Sequence, residues 1–416
     1  MRSSEGVDGM KLMARLVLFL WMAGMASSSP GAAEQLDGAK VRHAPGAARP
    51  GYLRPVQDAV FGSTVTRVTD PLRSITNLSG SWQNVARHHY SVSQAWNADQ
   101  SLLLIDRGVA GRLVFLDGQT FEPVLDRRVG DVQCEWHPVE APLMICMHDS
   151  QIYLWNVAKD SRRVVFSSTR FGDFDFGPGA GNASIRGKRV AVRARDKSGR
   201  LVAFVVNLDD GTALPEIDLS RLPGSNSYVS ISPSGQFVFV YQHTDAGEQG
   251  LVYSPAGRRV QTWREHHRPG HGDMTIDADG NDVMVGISKS DPDRYAIIKR
   301  RLVDGKVTQL TGYSQATHVS ARNTRKPGWV FVTYGGTEEE VRRNTDSEPF
   351  FQEVVALRID GSGEIRRVAH TRTGDTGYLS EAHASPSPDG SKVIFASSWW
   401  NRPSAPIASY VAAVDW

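Results

Sequence analysis

The sequence predicts an all-β protein, a seven-bladed β-propeller of four-stranded antiparallel blades. Three observations predict this fold. A unit made of a polar turn and a following β-rich strand recurs along the chain. Successive turns lie about 40 to 50 residues apart, except before the last unit, and this is the length of a four-stranded propeller blade. After residue 50, no stretch shows convincing helical periodicity.

The repeated unit is a strand, a turn of four polar residues and a second strand rich in β-formers. Its turns favour hairpins because Gly and Asn accept positive φ. Four copies are clear: "WNADQSLLLI" (96–105), "ISPSGQFVFV" (231–240), "IDADGNDVMV" (276–285) and "PSPDGSKVIF" (386–395). Three are weaker: "HPVEAPLMIC" (137–146), "IRGKRVAVRA" (185–194) and "NTRKPGWVFV" (323–332). Seven copies predict seven blades, with six or eight as alternatives.

Two segments fall outside the repeat. The early strand "GSTVTRVTD" (62–70) precedes the first full unit. We expect this N-terminal strand to join the last blade and close the ring, which removes an open sheet edge. The charged segment 334–354 lengthens the sixth unit, and it is either a solvated insertion or a lid.

The first residues have the order of a secretory signal. Lys11 and Arg15 precede a short apolar run, and small residues around Ala26 follow it. The apolar run is too short for a good membrane span, so none is expected in the mature chain. We predict three segments: a signal peptide and the start of a leader in 1–33, a flexible leader in 34–50 and the propeller in 51–416. The protein is expected to be secreted or periplasmic.

Composition narrows the partners. The 416 residues are 40% hydrophobic and 22% charged, so the chain can bury a full core. The formal net charge is +2 and no basic run is present, so we expect no binding to nucleic acid. We also expect the protein to be a monomer. Cys134 and Cys146 fall in one predicted hairpin. Either a disulfide, which an oxidising compartment permits, or two free thiols fits this placement.

Four histidines precede the turns of neighbouring blades. His89, His271 and His383 stand eight, six and four residues before their turns. Even offsets point side chains the same way on strands of period two. His318 precedes a longer turn. The four belong to blades one, five, six and seven, which are neighbours once the ring closes, so we expect them at one mouth of the central channel. One such histidine is usually a core residue, whereas four on one arc favour a functional cluster.

Charged residues accompany the histidines. Asp273 follows His271 by two residues, Arg322 follows His318 by four, and Glu381 precedes His383 by two. Histidines with a carboxylate can bind a divalent metal. They can equally supply a general base beside a cationic clamp. Polar residues around a propeller channel can also simply bind water.

These segments resemble the oligogalacturonate lyases, which are seven-bladed propellers. "GHGDMTIDADG" is similar to the family segment with a catalytic histidine, and "ATHVSARN" to one with a metal-binding histidine. "YLSEAHASPSPDG" is similar to a metal-binding Gln-x-x-His-x-His stretch. The resemblance implies His271 as the base. It implies a divalent metal, Mn²⁺ or Ca²⁺, on His318, Glu381 and His383. Tyr378 and Glu381 replace the Gln and the first His of the stretch, which puts the metal in doubt.

The chain also resembles the ulvan lyases in architecture. Those propellers cleave at uronates with histidine and tyrosine, and an arginine neutralises the substrate carboxylate without a catalytic metal. This second resemblance implies such roles for His89, Tyr90, Tyr378 and Arg322. It implies no cofactor.

Both resemblances imply a polysaccharide lyase that cleaves a uronate-containing poly- or oligosaccharide by β-elimination. The reaction removes the C5 proton, which is acidic enough only when a metal or an arginine neutralises the neighbouring carboxylate. A neutral histidine can take that proton near pH 7. Trp399, Trp400 and Asn401 follow the last inner hairpin. They offer stacking area for a sugar, or they pack between blades.

A binding platform without chemistry is the alternative. The "SPDG" hairpins resemble those of periplasmic TolB-type propellers, which are interaction platforms. That interpretation explains the repeats and the signal peptide. It does not explain why the histidines are confined to one arc.

Overall fold

The structure is a computed structural model that describes residues 42, 44, 46–177, 181–264, 266–312, 315–336, 349–373, 377–400 and 405–416. The predicted signal peptide, most of the leader and the middle of the charged segment in blade six lie outside these residues. Regular structure in the described part is β-strand, apart from one 3₁₀-helix at Tyr378–Ser380. No helix in that part is long and apolar enough to cross a membrane.

Seven antiparallel sheets follow one another along the chain as propeller blades, which confirms the predicted fold class. Three short strands come first: β1 (Val56–Gln57), β2 (Thr64–Arg67) and β3 (Val85–Ala86). Blades one to three contain β4 (Leu102–Val109), β5 (Arg112–Asp117) and β6 (Pro123–Arg128); β7 (Gln133–Trp136), β8 (Leu143–His148), β9 (Gln151–Asn156) and β10 (Ser161–Ser167); and β11 (Phe171–Asp175), β12 (Arg189–Asp196), β13 (Leu201–Asn207) and β14 (Ile217–Asp218).

Blades four to seven continue in the same order. Blades four and five contain β15 (Ser225–Ile231), β16 (Val238–Thr244), β17 (Gly247–Tyr253) and β18 (Arg259–Trp263); and β19 (Pro269–Ile276), β20 (Asp282–Ser288), β21 (Ile297–Arg301) and β22 (Val307–Gln309). Blades six and seven contain β23 (Ala316–Ser320), β24 (Trp329–Tyr334), β25 (Glu353–Arg358) and β26 (Ile365–His370); and β27 (Ser385–Pro386), β28 (Lys392–Ser397) and β29 (Ile407–Ala413).

The first and last blades depart from the four-stranded plan. Blade one is a three-stranded sheet, and two isolated bridges to β4 extend it, between Trp96 and Leu103 and between Arg87 and Arg107. Blade seven belongs to a six-stranded sheet that runs β27-β28-β29-β2-β1, with β3 paired in parallel to β29, so N-terminal and C-terminal strands share one sheet. In it, β2 lies antiparallel to β29, with Val65 opposite Ala412.

Apolar side chains from facing blades fill the space between sheets. Ile145 and Leu154 of blade two, for example, pack in one buried cluster with Phe174, Val190 and Phe204 of blade three. Burial of this kind favours the folded state by roughly 1.5–3 kcal/mol for each large side chain. The packed sheets hold the inner strands in place, and the polar residues at the start of those strands reach the channel.

A disulfide joins the two cysteines. Cys134 of β7 and Cys146 of β8 are cross-strand neighbours with Cα atoms 4.1 Å apart. Of the two arrangements that the sequence leaves open, the structure contains the disulfide.

Candidate functional site

Three of the predicted histidines lie in contact with one another. The ring of His271 stacks on that of His318, with centroids 5.0 Å apart. His318 meets His383 edge to face, with centroids 4.3 Å apart. These residues belong to β19, to β23 and to the segment before β27, so blades five, six and seven each contribute one ring. The convergence that the sequence predicts for these three is therefore present.

The backbone is irregular at two of these histidines, His271 and His383. His271 has a φ of 46° and lies where the register between β19 and β20 shifts. His383 has a φ of 43°. Such bulges re-aim side chains and occur often beside functional sites. Gly272 is required next to His271, because a Cβ there would collide with the carbonyl oxygen of Val285.

One ring nitrogen of His271, Nε2, has no hydrogen-bond partner among the residues that the structure describes. The Nδ1–H of His271 donates to the carbonyl oxygen of Thr317 over 2.9 Å, which leaves the lone pair on Nε2. The ring is exposed at a cavity, although partial burial lowers its pKa, helped by the charge of Lys289. A neutral, fixed imidazole of this kind is suited to accept a proton.

His318, Glu381 and His383 bring three donor atoms within 4.8 Å of one another. Glu381 Oε2 lies 3.7 Å from His318 Nδ1 and 3.1 Å from His383 Nε2. The Nδ1 atom of His318 is buried and has no hydrogen-bond partner in the described part of the chain. Two imidazoles and a carboxylate are a donor set that a divalent metal accepts.

The hydrogen-bond partner at Nδ1 of His383 is not one that a metal-binding histidine has. Arg87, 1% exposed, donates from its guanidinium to His383 Nδ1 over 2.7 Å. Arginine cannot accept a hydrogen bond, so the proton of the neutral ring stays on Nε2 and is donated to Glu381. Metal-bound histidines instead donate their second N–H to a carboxylate or carbonyl. As hydrogen bonded here, His383 has no lone pair to offer at Nε2.

Burial governs the charge of this cluster. It lowers the pKa of His318 and His383, and the nearby charge of Arg87 adds to the effect on both. It also raises the pKa of the Glu381 carboxyl, against the opposing effect of Arg87. The two histidines are therefore neutral, and Arg87 is the fixed cation beside them.

Two tyrosines border the histidines. The ring of Tyr90 lies edge-on to His318 and His383, with centroids 5.1 and 4.7 Å away. Tyr378 lies 5.0 Å from His383 and is 54% exposed. Burial raises the pKa of Tyr90, so its phenol stays protonated at neutral pH and can donate a proton.

A cavity of about 250 Å³ opens in front of these groups. Its lining includes His271, Tyr90, Tyr378, His89 and Arg107. The guanidinium of Arg107 has no hydrogen-bond or ion-pair partner among the residues that the structure describes. A cation without a partner in a cavity is suited to bind an anionic group of a ligand.

His89 lies apart from the other three histidines. Its Nδ1 contacts the carboxylate of Asp106, and its side chain is 46% exposed. Burial alone would lower the pKa of His89, but the charge and hydrogen bond of Asp106 outweigh it and raise the pKa. The pKa of His89 is therefore shifted in the direction opposite to that of His271.

Other predicted site residues have structural partners. Both oxygens of Asp273 accept from Arg322, over 2.7 and 2.8 Å, and both side chains are buried. Arg322 lines a separate cavity of about 30 Å³. Trp399 is 8% exposed and stacks on Tyr410 at 4.9 Å, so its ring packs within blade seven. Trp400 lies beside Arg372, and Asn401 lies outside the described residues.

Sequence reasoning missed both arginines of this cluster. Arg87 directly precedes two histidines in "RHHY", which was the only local signal. Its backbone pairs with that of Arg107, through N–H to O contacts of 2.8 and 3.0 Å. The guanidinium of Arg87 donates hydrogen bonds to the carbonyl oxygens of Leu379 and Glu381. These contacts join segments almost 300 residues apart in the chain, and no spacing rule gives them.

Comparison with solved structures shows which folds this one is similar to. The chain is similar to an oligogalacturonate lyase in complex with manganese, with a TM-score of 0.60, 17% identity, and coverage of 89% of this chain and 98% of that one. It is also similar to a chain of a mitotic checkpoint complex, with a TM-score of 0.48, 11% identity, and coverage of 90% and 97%. For TolB from Acinetobacter baumannii the values are 0.38, 17%, 66% and 62%. At these identities the likeness concerns the fold alone.

No protein-family model matches the sequence, and no curated protein matches it.

Proposed function

We propose that the protein is an exported polysaccharide lyase that cleaves a uronate-containing chain by β-elimination. One observation carries the proposal. An imidazole with a free Nε2, that of His271, lines the same cavity as the unpartnered guanidinium of Arg107 and the protonated phenol of Tyr90. A base, a cation for a carboxylate and a proton donor are the three groups that the elimination requires.

In the proposed reaction His271 removes the C5 proton of the uronate. The electron pair of the C5–H bond forms a double bond between C4 and C5, and the C4–O4 bond breaks. The leaving O4 takes a proton from the phenol of Tyr90. The proton on His271 returns through solvent to the phenolate, so no water is consumed and both residues regain their starting states.

Arg107 neutralises the uronate carboxylate in this cavity. This lowers the energy of the carbanion-like transition state, because negative charge spreads into the carboxylate as C5 loses its proton. Arg322 is not given this role, since its guanidinium is held by Asp273. Arg107 takes the part that the sequence comparison with ulvan lyases implied for Arg322.

No step of the proposal passes through a metal ion. The manganese named for the similar lyase would require His383 as a ligand, and the hydrogen bond from Arg87 opposes that. In the proposed mechanism His318, Glu381 and His383 are positioning residues. They form the wall on which His271 stacks and against which Tyr90 packs.

One further feature, the disulfide, supports export. A disulfide between Cys134 and Cys146 persists in oxidising compartments and is rare in the cytosol. Together with the signal-like N-terminus, it supports a secreted or periplasmic location.

The test is the identity of the product. Purified protein is incubated with uronate polymers in water enriched in heavy oxygen, and the products are examined by mass spectrometry. Elimination gives an unsaturated uronate end without heavy oxygen. A saturated product that carries heavy oxygen would mean hydrolysis, and the lyase proposal would fail.

A further inference from the structure

A second cavity adjoins the one that contains His271. It has a volume of about 230 Å³ and lies between blades one and two, and His89 and Arg107 line both cavities. At ~30 Å³ for each water molecule in the liquid, it holds about eight waters, which is room for one sugar ring. The reaction proposed above does not use this space.

Two carboxyl groups, those of Glu135 and Asp106, are among the polar groups that line this second cavity. Glu135 is the third residue of β7, as His271 is of β19, so both stand near the start of an inner strand. Its Oε1 accepts a hydrogen bond from Ser93 over 3.1 Å. Asp106 also lines the cavity, and its Oδ1 is buried without a hydrogen-bond partner among the described residues. Carboxyl oxygens of this kind accept hydrogen bonds from sugar hydroxyls.

Apolar side chains form much of the rest of the wall, beside the polar side chains of Ser93, Gln94 and Gln133. Leu104, Leu113, Trp136, Met144 and Phe176 line the cavity beside these carboxyl groups. A lining with a few hydrogen-bonding groups among apolar and aromatic side chains is typical of small-molecule sites. It matches a sugar ring, which has hydroxyls at its edge and C–H groups on its faces.

The charges of the second cavity disfavour an anionic occupant. His89 is occupied by Asp106, and Arg107 is assigned to the uronate in the first cavity. Burial raises the pKa of Glu135 to about 7, although the charges of His89 and Arg322 act against this. At neutral pH and above, a second uronate would place its carboxylate near that of Glu135 with no free cation between them. Like charges brought together in this way weaken binding.

We infer that the second cavity binds the sugar adjacent to the uronate, and that this sugar is uncharged. The inference rests on the proposed function. It names the substrate class as a polymer in which uronates alternate with uncharged sugars, in place of a polymer made of uronates alone.

The experiment compares two polymers, polygalacturonate and a polymer in which galacturonate alternates with rhamnose. Initial rates are read from the ultraviolet absorbance of the unsaturated product for the wild type, Glu135→Gln and Glu122→Gln. Glu122 is an exposed carboxylate outside the cavity and is the matched control. We expect the alternating polymer to be cleaved at least about tenfold faster by the wild type, a factor that one moderate repulsion supplies. Glu135→Gln should raise the rate on polygalacturonate and so lower the ratio of the rate on the alternating polymer to the rate on polygalacturonate.

Equal rates on the two polymers, or a ratio that Glu135→Gln leaves unchanged, would overturn the inference while the lyase proposal stands. Calorimetry with His271→Ala and oligosaccharides of the two kinds gives a second readout that needs no turnover. If neither polymer is cleaved, binding decides the inference, and the proposed function is decided separately by cleavage of a wider panel of uronate polymers. Tighter binding of the alternating oligosaccharide supports an uncharged-sugar site, and equal or no binding overturns it.

Discussion

The guanidinium of Arg87 lies 2.7 Å from Nδ1 of His383, on the side of the ring opposite to Glu381. This contact decides the tautomer of His383, because the donor at Nδ1 forces the ring proton onto Nε2. It also ties the segment before blade one to the segment before blade seven. The cluster has the residue types of a metal centre, and in the proposed mechanism its hydrogen bonds make it a support for His271.

Chelation should leave the lyase activity unchanged. Calorimetry with Mn²⁺ alone should show no tight binding by the wild type. Arg87→Met removes the donor at Nδ1 and lets His383 change tautomer, so this variant should bind Mn²⁺ more tightly than the wild type. Arg128→Met, at an exposed position on β6, is the control and should not. Tight binding by the wild type that His318→Ala abolishes would mean that a metal occupies the cluster.

The variant Arg87→Met should also have a lower free energy of unfolding than the wild type. Arg87→Met leaves the carbonyl oxygens of Leu379 and Glu381 without this donor. Each unsatisfied acceptor costs up to about 1–3 kcal/mol where water does not replace the donor. Denaturant unfolding of Arg87→Met and Arg128→Met measures the difference. If Arg87→Met and Arg128→Met unfold with the same free energy, the hydrogen bonds of Arg87 do not stabilise the fold.

Arg107→Gln should lower kcat by about 10²–10³, the loss expected when one group that stabilises developing negative charge is removed. Arg107→Lys should recover part of the activity, because it restores the charge without the fork geometry. Arg128→Gln provides the matched control. A variant at Arg107 with normal kcat would assign carboxylate neutralisation to another group.

The ion pair of Arg322 and Asp273 should matter for folding more than for chemistry. Removing one partner alone, as in Arg322→Met, leaves a buried charge and should destabilise the protein by about 3–5 kcal/mol. The double change Arg322→Met with Asp273→Leu should recover most of that loss and keep kcat near the wild-type value. If the double variant is stable but inactive, Arg322 contacts the substrate after all.

The pair of His89 and Asp106 should make stability depend on pH. The pKa of His89 is raised in the folded state above its unfolded value, which is about 6.5. Its contribution is therefore fully present below about pH 6.5 and is lost as the pH rises through the folded-state pKa. Unfolding of the wild type and of His89→Gln across this range should show the difference between them shrinking as the pH rises. A difference that grows instead would mean that burial, not Asp106, sets the pKa.

The blades were predictable because their signals are local. Each hairpin has its own turn residues, and the spacing of the turns gives the blade length. The meeting of His271, His318 and His383 was predictable for a related reason, since equivalent positions in successive blades face one channel. The tryptophans were less informative, because one aromatic residue after a hairpin serves packing and binding equally, and Trp399 packs.

The groups around the histidines could not be predicted in the same way. Arg87 and Arg107 meet through a backbone bridge outside the regular repeat, and Arg87 reaches His383 only because the ring brings blades one and seven together. Arg322 has the right residue type and spacing for a clamp, but its neutralisation by Asp273 depends on contacts between adjacent blades. Charge pairing across blades is a property of the assembled ring.

The central claim is that His271 is the base of a uronate lyase. The most direct measurement follows the ultraviolet absorbance of unsaturated uronate products on a panel of pectic, ulvan, glucuronan and plant-gum polymers, for the wild type and two variants. His271→Ala removes the base, and His148→Ala changes an exposed histidine on β8. We predict a rise for the wild type and for His148→Ala, and a rate reduced by about 10²–10⁴ for folded His271→Ala. No rise on any polymer, or an undiminished rise with His271→Ala, would contradict the claim, and the first of these outcomes would favour a binding platform.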